Sequence, residues 1–467
     1  MPMKRSSNRT RATILAVIVL DAAGTGLVLP VLPRLLESVS GMRDLGWRYG
    51  AFLSLYAALQ FLASPMLGAL SDRCGRRPVL LASLAGGVID YGFMAWAPGF
   101  WWLFVGRAIS GLTAANAAVA AACLTDITPE DRRARGFGLL SAGYGVGFVL
   151  GPAIGGICGA WSIRAPFVAA GLLLLANFLM ALVALPETRI VAPAGAREGE
   201  GADAASIEPL SFHPLAPLRA IGAYGALLPL LSLFVIVTIV GEIGGTVWVF
   251  FGEDRFGWDT TTVGISLAAF GLFHAVAQAF LAGPVSERWG EHAMLAAAIV
   301  CDGLAYAILA FTSSGFVAFS LYPLFCVGGM AHAALQSMIS RGAGDEDQGR
   351  LQGVLASLTS VASIVTPLAV SEIYFASRET FPGLVWLIGV GLYVGGVPIL
   401  VGDWRRERAG APSGGRRPAQ SFGSGGLHPA RQPGEDGVQE PGAEEDGERD
   451  AGDDPLPVGG QRRPPDR

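Results

Sequence analysis

The chain has 467 residues, 52% of them apolar and 15% charged, with a mean hydropathy of +0.47. Soluble chains run at about 45–50% and 25%, and a hydrophilic stretch from Arg405 to Arg467 dilutes even these figures, so the body of the chain belongs in a bilayer. The formal charge of −5, from 33 basic and 38 acidic residues set in loops and tail, argues against nucleic acid as a partner, and the five scattered cysteines contain no CxxC pair that would suggest zinc or a disulfide framework.

A crossing helix needs roughly 20 mostly apolar residues. In chain order, Ala12 to Pro33 carries Asp21, Tyr49 to Ser71 carries no charge, Pro78 to Ala97 carries Asp90, and Phe100 to Thr125 carries Arg107. Gly136 to Ile163 and Ala165 to Pro186 follow without charge, then Ala220 to Gly241 and Thr260 to Ser286. A ninth span begins near His292, a tenth follows the break at Thr312-Ser313-Ser314-Gly315 and reaches Ser340, and Leu351 to Ser371 and Thr380 to Gly402 complete twelve. The basic stretch before Ile14 precedes no small-residue cleavage site, so it opens a retained first helix rather than a secretory signal. Twelve spans put both termini on one side. The short connections there hold sixteen basic residues against six opposite, which predicts cytoplasmic termini in the cell inner (plasma) membrane.

Shifting the chain against itself by 215 residues aligns Gly68-Ala-Leu-Ser71-Asp72-Arg73-Cys-Gly75 with Gly283-Pro-Val-Ser286-Glu287-Arg288-Trp-Gly290, and carries Arg135 onto Arg350 and Pro152 onto Pro367. Each repeat holds six spans, so the expected architecture is an all-α polytopic membrane protein of two pseudo-symmetric six-helix bundles around a central cavity, with substrate near mid-depth. The expected divisions are an N-terminus at 1–11, bundles at 12–185 and 219–402, an Ala/Gly/Pro-rich cytoplasmic linker at 186–218, and a disordered cytoplasmic tail at 403–467.

Charge inside a membrane is costly and generally faces a bundle interior or a water-filled cavity. Asp21, Asp90, Arg107 and Asp302 are such charges, and Asp302 lies about 15 Å into its helix, at the bilayer middle. A carboxyl group there holds a proton or a cation, each excluding the other, which is the physical core of antiport. The alternative is a structural ion pair, Asp21 with Arg107 for example. Gly111, one turn from Arg107, lets another helix approach the guanidinium. His274, with Gln278 one turn on, is a second candidate for a proton or ligand. Glu242 is read as lying near the outer end of the seventh span, where its side chain reaches the interface, and His332 is given no role.

Two further patterns stand outside the charges. Gly143, Gly147, Gly151, Gly155 and Gly159 make a bare stripe along the fifth span, with Pro152 and Gly156 beside it, which predicts a tightly packed helix sealing the interior against proton leak. The loop around Asp72-Arg73-Cys74-Gly75-Arg76-Arg77 is either a topological anchor or, since Glu287-Arg288 repeats it, one of two charged latches that make and break as the halves rock.

With these residues in hand, the chain resembles the major facilitator superfamily and, within it, the tetracycline/proton antiporters of the twelve-span drug-efflux group. The likeness runs from about Asp21 to Gly402 and rests on Asp21-x-x-Gly24-x-Gly26-Leu-x-x-Pro30-Val-Leu-Pro33, the Gly68 to Leu81 loop motif, Gly106-Arg107, Gly151-Pro-Ala-Ile-Gly-Gly156, Ser83 to Tyr91, Phe251 to Trp258 and Gly264 to His274. The resemblance implies the major facilitator fold and export of tetracycline, as its chelate with a divalent cation such as Mg²⁺, in exchange for a proton. No cofactor is bound permanently, the metal arriving with the substrate. By position it implies that Asp21, Asp90, Asp302, Arg107, His274 and Gln60 serve proton coupling and substrate binding. Gly68, Ser71, Asp72, Arg73, Gly75, Arg76, Arg77 and Asp126 form the gating loop, and Gly147, Gly151, Pro152, Gly155 and Gly156 the antiporter glycine motif.

There are departures: Glu242 stands where relatives usually have Gln, Ala333 replaces a common proline, and the long tail is foreign to the pattern. Two rival readings stay open, a proton-coupled exporter of another drug and a non-transporting membrane sensor on the same scaffold. With no nucleophile and base, metal cluster or phosphate loop, an enzyme is not expected, and no obligate protein partner is evident.

Overall fold

The computed structural model describes residues 2–42, 44–189, 220–342 and 347–408. Of the expected linker only 186–189 are described, and the expected tail lies outside the described residues beyond Arg408. The described residues form helices and no strand. Twelve are long and apolar enough to cross a membrane. We number them α1 (Pro2–Val28), α2 (Trp47–Cys74), α3 (Arg76–Trp96), α4 (Phe100–Ile127), α5 (Arg133–Trp161) and α6 (Ala165–Ala184) in the first half. The second half has α7 (Leu228–Phe256), α8 (Thr260–Phe280), α9 (Glu291–Phe311), α10 (Gly315–Arg341), α11 (Gln348–Ser377) and α12 (Leu384–Arg408).

Several helix ends differ from expectation, three of them in ways that bear on the site. Helix α7 runs past Gly241 to Phe256, α12 runs past Gly402 to Arg408, and α8 stops at Phe280, a separate short helix Ala282–Trp289 following it. A charge-free window ends wherever a charge appears, whereas backbone hydrogen bonding continues through Glu242, Glu253 and Asp403. Glu242 is therefore not near the outer end of its span: it is fourteen residues from Leu228 and fourteen from Phe256. Helix α4 breaks at Ala114-Ala115, and α10 breaks at Leu321 and Gly329, while Ala333 lies inside an unbroken segment.

The glycine stripe of α5 packs on α1. A β-carbon at Gly151 would stand 2.6 Å from the Ala23 carbonyl oxygen, and one at Gly147 would stand 2.8 Å from the Ala22 β-carbon. Gly156, on another face, meets α8: its β-carbon would lie 2.6 Å from the Thr260 carbonyl oxygen. Helix α5 is thus held between its own half and the other, because hydrogen atoms in place of side chains let three backbones converge.

The two halves meet through contacts that repeat the sequence duplication. Pro152 and Pro367 each present a carbonyl to a glycine of the opposite half, Gly264 on α8 and Gly50 on α2. Ser54 Oγ donates to the Ile364 carbonyl at 2.5 Å, Ser371 Oγ to the Gly46 carbonyl at 2.6 Å, and Arg34 Nε to Glu253 Oε1 at 2.7 Å. Tyr49 and Phe250 pack edge to face across the same seam, centroids 4.8 Å apart. These links begin at the end of the helices away from the termini and continue toward mid-depth. At the terminal end, by contrast, the polar clusters described below close within their own halves.

Candidate functional site

In the first half, Asp90 on α3 is 2% exposed and faces Arg107 on α4, Oδ2 to Nε 3.6 Å. The guanidinium also lies over the rings of Phe52 and Tyr56 at 5.1 and 5.5 Å, so its charge is met by one carboxylate and two π-faces. Gly106 makes the approach possible, since a β-carbon there would stand 2.9 Å from Asp90 Oδ1. Gly111 does the same for α2, where the Tyr56 carbonyl oxygen would be 2.9 Å away. The ion pair offered as the alternative for Asp21 is made by Asp90 instead. Asp21 accepts a hydrogen bond from Asn116 Nδ2 at 2.7 Å. Asn116 had no signal in the sequence beyond being an amide in an apolar span, and it gains its position from the α4 break just before it. Gln60 is partly exposed on α2, one turn beyond Tyr56.

In the second half, Asp302 on α9 is 8% exposed and accepts from the Tyr393 hydroxyl of α12 at 2.6 Å. Its recorded partner is a neutral donor rather than a cation. Helix α10 comes against it at Gly328, whose β-carbon would lie 2.6 Å from that of Asp302. His274 on α8 stacks on Phe270, centroids 5.7 Å apart, with Nδ1 unpartnered among the described residues. Gln278 Nε2 donates to the Gly329 carbonyl at 3.2 Å. Glu242 Oε1 accepts from Ser363 Oγ of α11 at 2.6 Å, and His332 packs on Phe234. The structure thus joins Asp90 with Arg107 and gives Asp21, Asp302 and His274 separate neighbours.

The loop residues gather at the terminal end of the first half. Gly75 has φ +99°, a conformation open to glycine, and so breaks α2 from α3 within one residue. Arg76 then reaches Ser71 Oγ and Asp72 Oδ1, each at 2.7 Å, and Asp126 Oδ2 at 3.2 Å. Ser71 Oγ also donates to the Gly68 carbonyl at 2.8 Å, Arg77 Nη2 to the Leu182 carbonyl at 2.5 Å, and Arg73 is exposed. Sequence reasoning missed two participants. Glu187 caps α3, accepting from the backbone amides of Arg76 at 2.8 Å and Arg77 at 3.1 Å, and Arg189 pairs with Asp72.

The second half keeps this geometry with the charges exchanged. Gly290 has φ +78°, and the shift of 215 residues carries Arg76 onto Glu291 and Asp126 onto Arg341. Glu291 and Arg341 are an ion pair, so the acid and base have traded helices between repeats. His292, the counterpart of Arg77, lies between Asp403 at 2.9 Å and Glu407 at 2.8 Å. The expected repeat latch at Glu287-Arg288 is not where this cluster forms; it forms at Glu291 and Arg341.

Two six-helix halves joined at one end, with carboxylates and a histidine at mid-depth, define a multi-pass membrane transporter rather than an enzyme. The model of the Major Facilitator Superfamily matches residues 14–367 and 244–431, and this chain belongs to that family. It is 46% identical over 402 residues to the tetracycline resistance protein, class C, of Escherichia coli, covering 86% of this chain and 98% of that relative. It is 45% identical to the class G protein of Vibrio anguillarum, covering 84% and 97%. Among solved structures, the human organic anion transporter MFSD10 (TETRAN) superposes with a TM-score of 0.60 at 23% identity, over 84% of this chain and 99% of that one, a likeness of fold.

Proposed function

We infer that this chain confers tetracycline resistance by active efflux, exporting the drug as its chelate with a divalent cation such as Mg²⁺ in exchange for a proton. The terminal end is cytoplasmic, so the state described is closed outward and receives cargo from the cytoplasm. The observation that carries the reading is Asp302: a buried carboxyl group at mid-depth whose neighbour is a hydroxyl, in a chain 46% identical to a tetracycline resistance protein. A carboxylate with no cationic partner among the described residues binds either a proton or positively charged cargo, and the exclusion couples their movements. Asp21 shares that character, its partner being an amide. Asp90 with Arg107 is a charge pair whose balance arriving protons or cargo perturb. His274 and Gln60 are polar positions for cargo.

A monocationic chelate exchanged for one proton moves no net charge, so the pH gradient drives it. Rocking opens the Gly50–Pro367 and Gly264–Pro152 seams, while the Arg76 and Arg341 clusters stiffen the helix ends that move. The stripe on α5 keeps the interior closed to protons. Everted membrane vesicles test this: tetracycline uptake is expected only with both Mg²⁺ and an imposed proton gradient, and Asp302→Asn is expected to abolish it. Full activity of Asp302→Asn, or uptake with neither a pH gradient nor a membrane potential imposed, would overturn the reading.

A further inference from the structure

The coupling scheme leaves one membrane carboxylate unused. Glu242 is at the middle of α7, about 21 Å from either end at 1.5 Å per residue, and Ser363 is fifteen residues into α11, at the same depth. Helix α11 supplies that one hydroxyl, and from Leu351 to Ser371 it has no ionisable side chain. Among the described residues, other ionisable groups on the helices around α7 include Tyr306 and Asp302 on α9, His332 on α10, Tyr393 on α12 and His274 on α8. Space adjoins the carboxylate: β-carbons at Gly241 and Gly245 would meet nothing among the described residues within 4 Å. A partly exposed carboxylate at this depth, served by one neutral donor, calls for a positive charge from outside the protein.

We propose that Glu242 is a further cation-accepting position of the second half, filled during the cycle by a proton or by the cationic part of the cargo. It is placed to communicate with both the centre and the seam. The Tyr306 hydroxyl, one turn from Asp302, donates to the carbonyl of Val240, two residues before Glu242, at 2.9 Å. The Ile364 carbonyl, next to Ser363, accepts the bond that crosses from Ser54 of the first half. Charging or neutralising Glu242 therefore acts on the residue adjoining a cross-half bond.

The inference rests on the export reading, and everted vesicles separate the two. Glu242→Gln keeps the size and an oxygen for Ser363, and Glu242→Asp keeps the charge; immunoblots establish that each reaches the membrane. Two quantities are read: KM for the Mg²⁺–tetracycline chelate, and uptake driven by an imposed membrane potential without a pH gradient. If cargo supplies the charge, Glu242→Gln raises KM tenfold or more with the response to potential unchanged. If a second proton supplies it, the wild type responds to potential, and Glu242→Gln loses that response with KM within twofold. Glu242→Asp should retain whichever property Glu242→Gln loses, and Ser363→Ala should shift the same quantity in the same direction. Active wild-type vesicles with Glu242→Gln within twofold in both quantities would overturn this inference alone. Wild-type vesicles that take up no tetracycline would overturn both.

Discussion

The seam between the halves can be wedged by one methyl group. An alanine β-carbon at Gly50 would stand 2.7 Å from Leu368 Cα and 2.8 Å from the Pro367 carbonyl carbon. Carbon atoms pack best at about 3.5–4.0 Å, so nearly 1 Å must be recovered. The atoms in the way are backbone of a helix, which cannot rotate aside. Overpacking of this kind costs about 1–3 kcal/mol. Because the clash exists only where the halves touch, it falls on the closed seam and not on either bundle, and moves the ratio of the two states by roughly 5- to 150-fold. The assay is labelling of a cysteine placed at Ser371, whose hydroxyl bonds the Gly46 carbonyl in the seam, after replacement of Cys74, Cys123, Cys158, Cys301 and Cys326. A membrane-impermeant maleimide should react at least fivefold faster in Gly50→Ala, and Gly264→Ala should reproduce this from the repeat-related contact. Gly92→Ala, whose β-carbon meets nothing within 4 Å, is the control and should label like the parent. Equal labelling in all three would mean that the glycine–proline contacts do not hold the seam.

Three other outcomes follow from the geometry. Asp90→Ala leaves the Arg107 guanidinium with two aromatic faces and the Met94 sulfur but no carboxylate, and should cost about 3 kcal/mol, the low end for breaking a buried pair; in thermal unfolding, the Asp90→Ala/Arg107→Ala double variant should lose less than the two single variants combined, and simple additivity would count against a coupled pair. Gly75→Ala forces a side chain to φ +99° and into Glu187, and should cost about 1–3 kcal/mol; an unchanged melting temperature would contradict the strain. Asp259 caps α8 through Thr262, whose hydroxyl and then amide hydrogen bonds hold its carboxyl below the usual range. A depressed folded value means that its stabilisation is present above the unfolded carboxyl value of about 3.9 and is lost as pH falls through the folded one; Asp259→Ala should therefore cost about 1 kcal/mol at neutral pH and progressively less in acid, and a cost that grows in acid would refute this.

Much of this protein was legible from sequence because membrane insertion is a local property. A span announces itself by length and apolarity, and a duplicated fold by one constant shift, so the twelve helices and the Pro152–Pro367 correspondence needed no coordinates. What charge-free windows mishandled were charges a helix simply continues through, and that error misplaced Glu242 by half a helix length. Pairing was the part that only the tertiary structure decided. Asp21 is 95 residues from Asn116, and Glu242 is 121 from Ser363. No periodicity reaches across such gaps; helix packing sets which polar group faces which. The same holds for the exchange of acid and base between Arg76–Asp126 and Glu291–Arg341. Sequence alone pointed to Glu287-Arg288 as the repeat of the first loop's charges, but an ion pair depends on where two helix ends come to lie, and the one the fold makes is between Glu291, one turn further on, and Arg341.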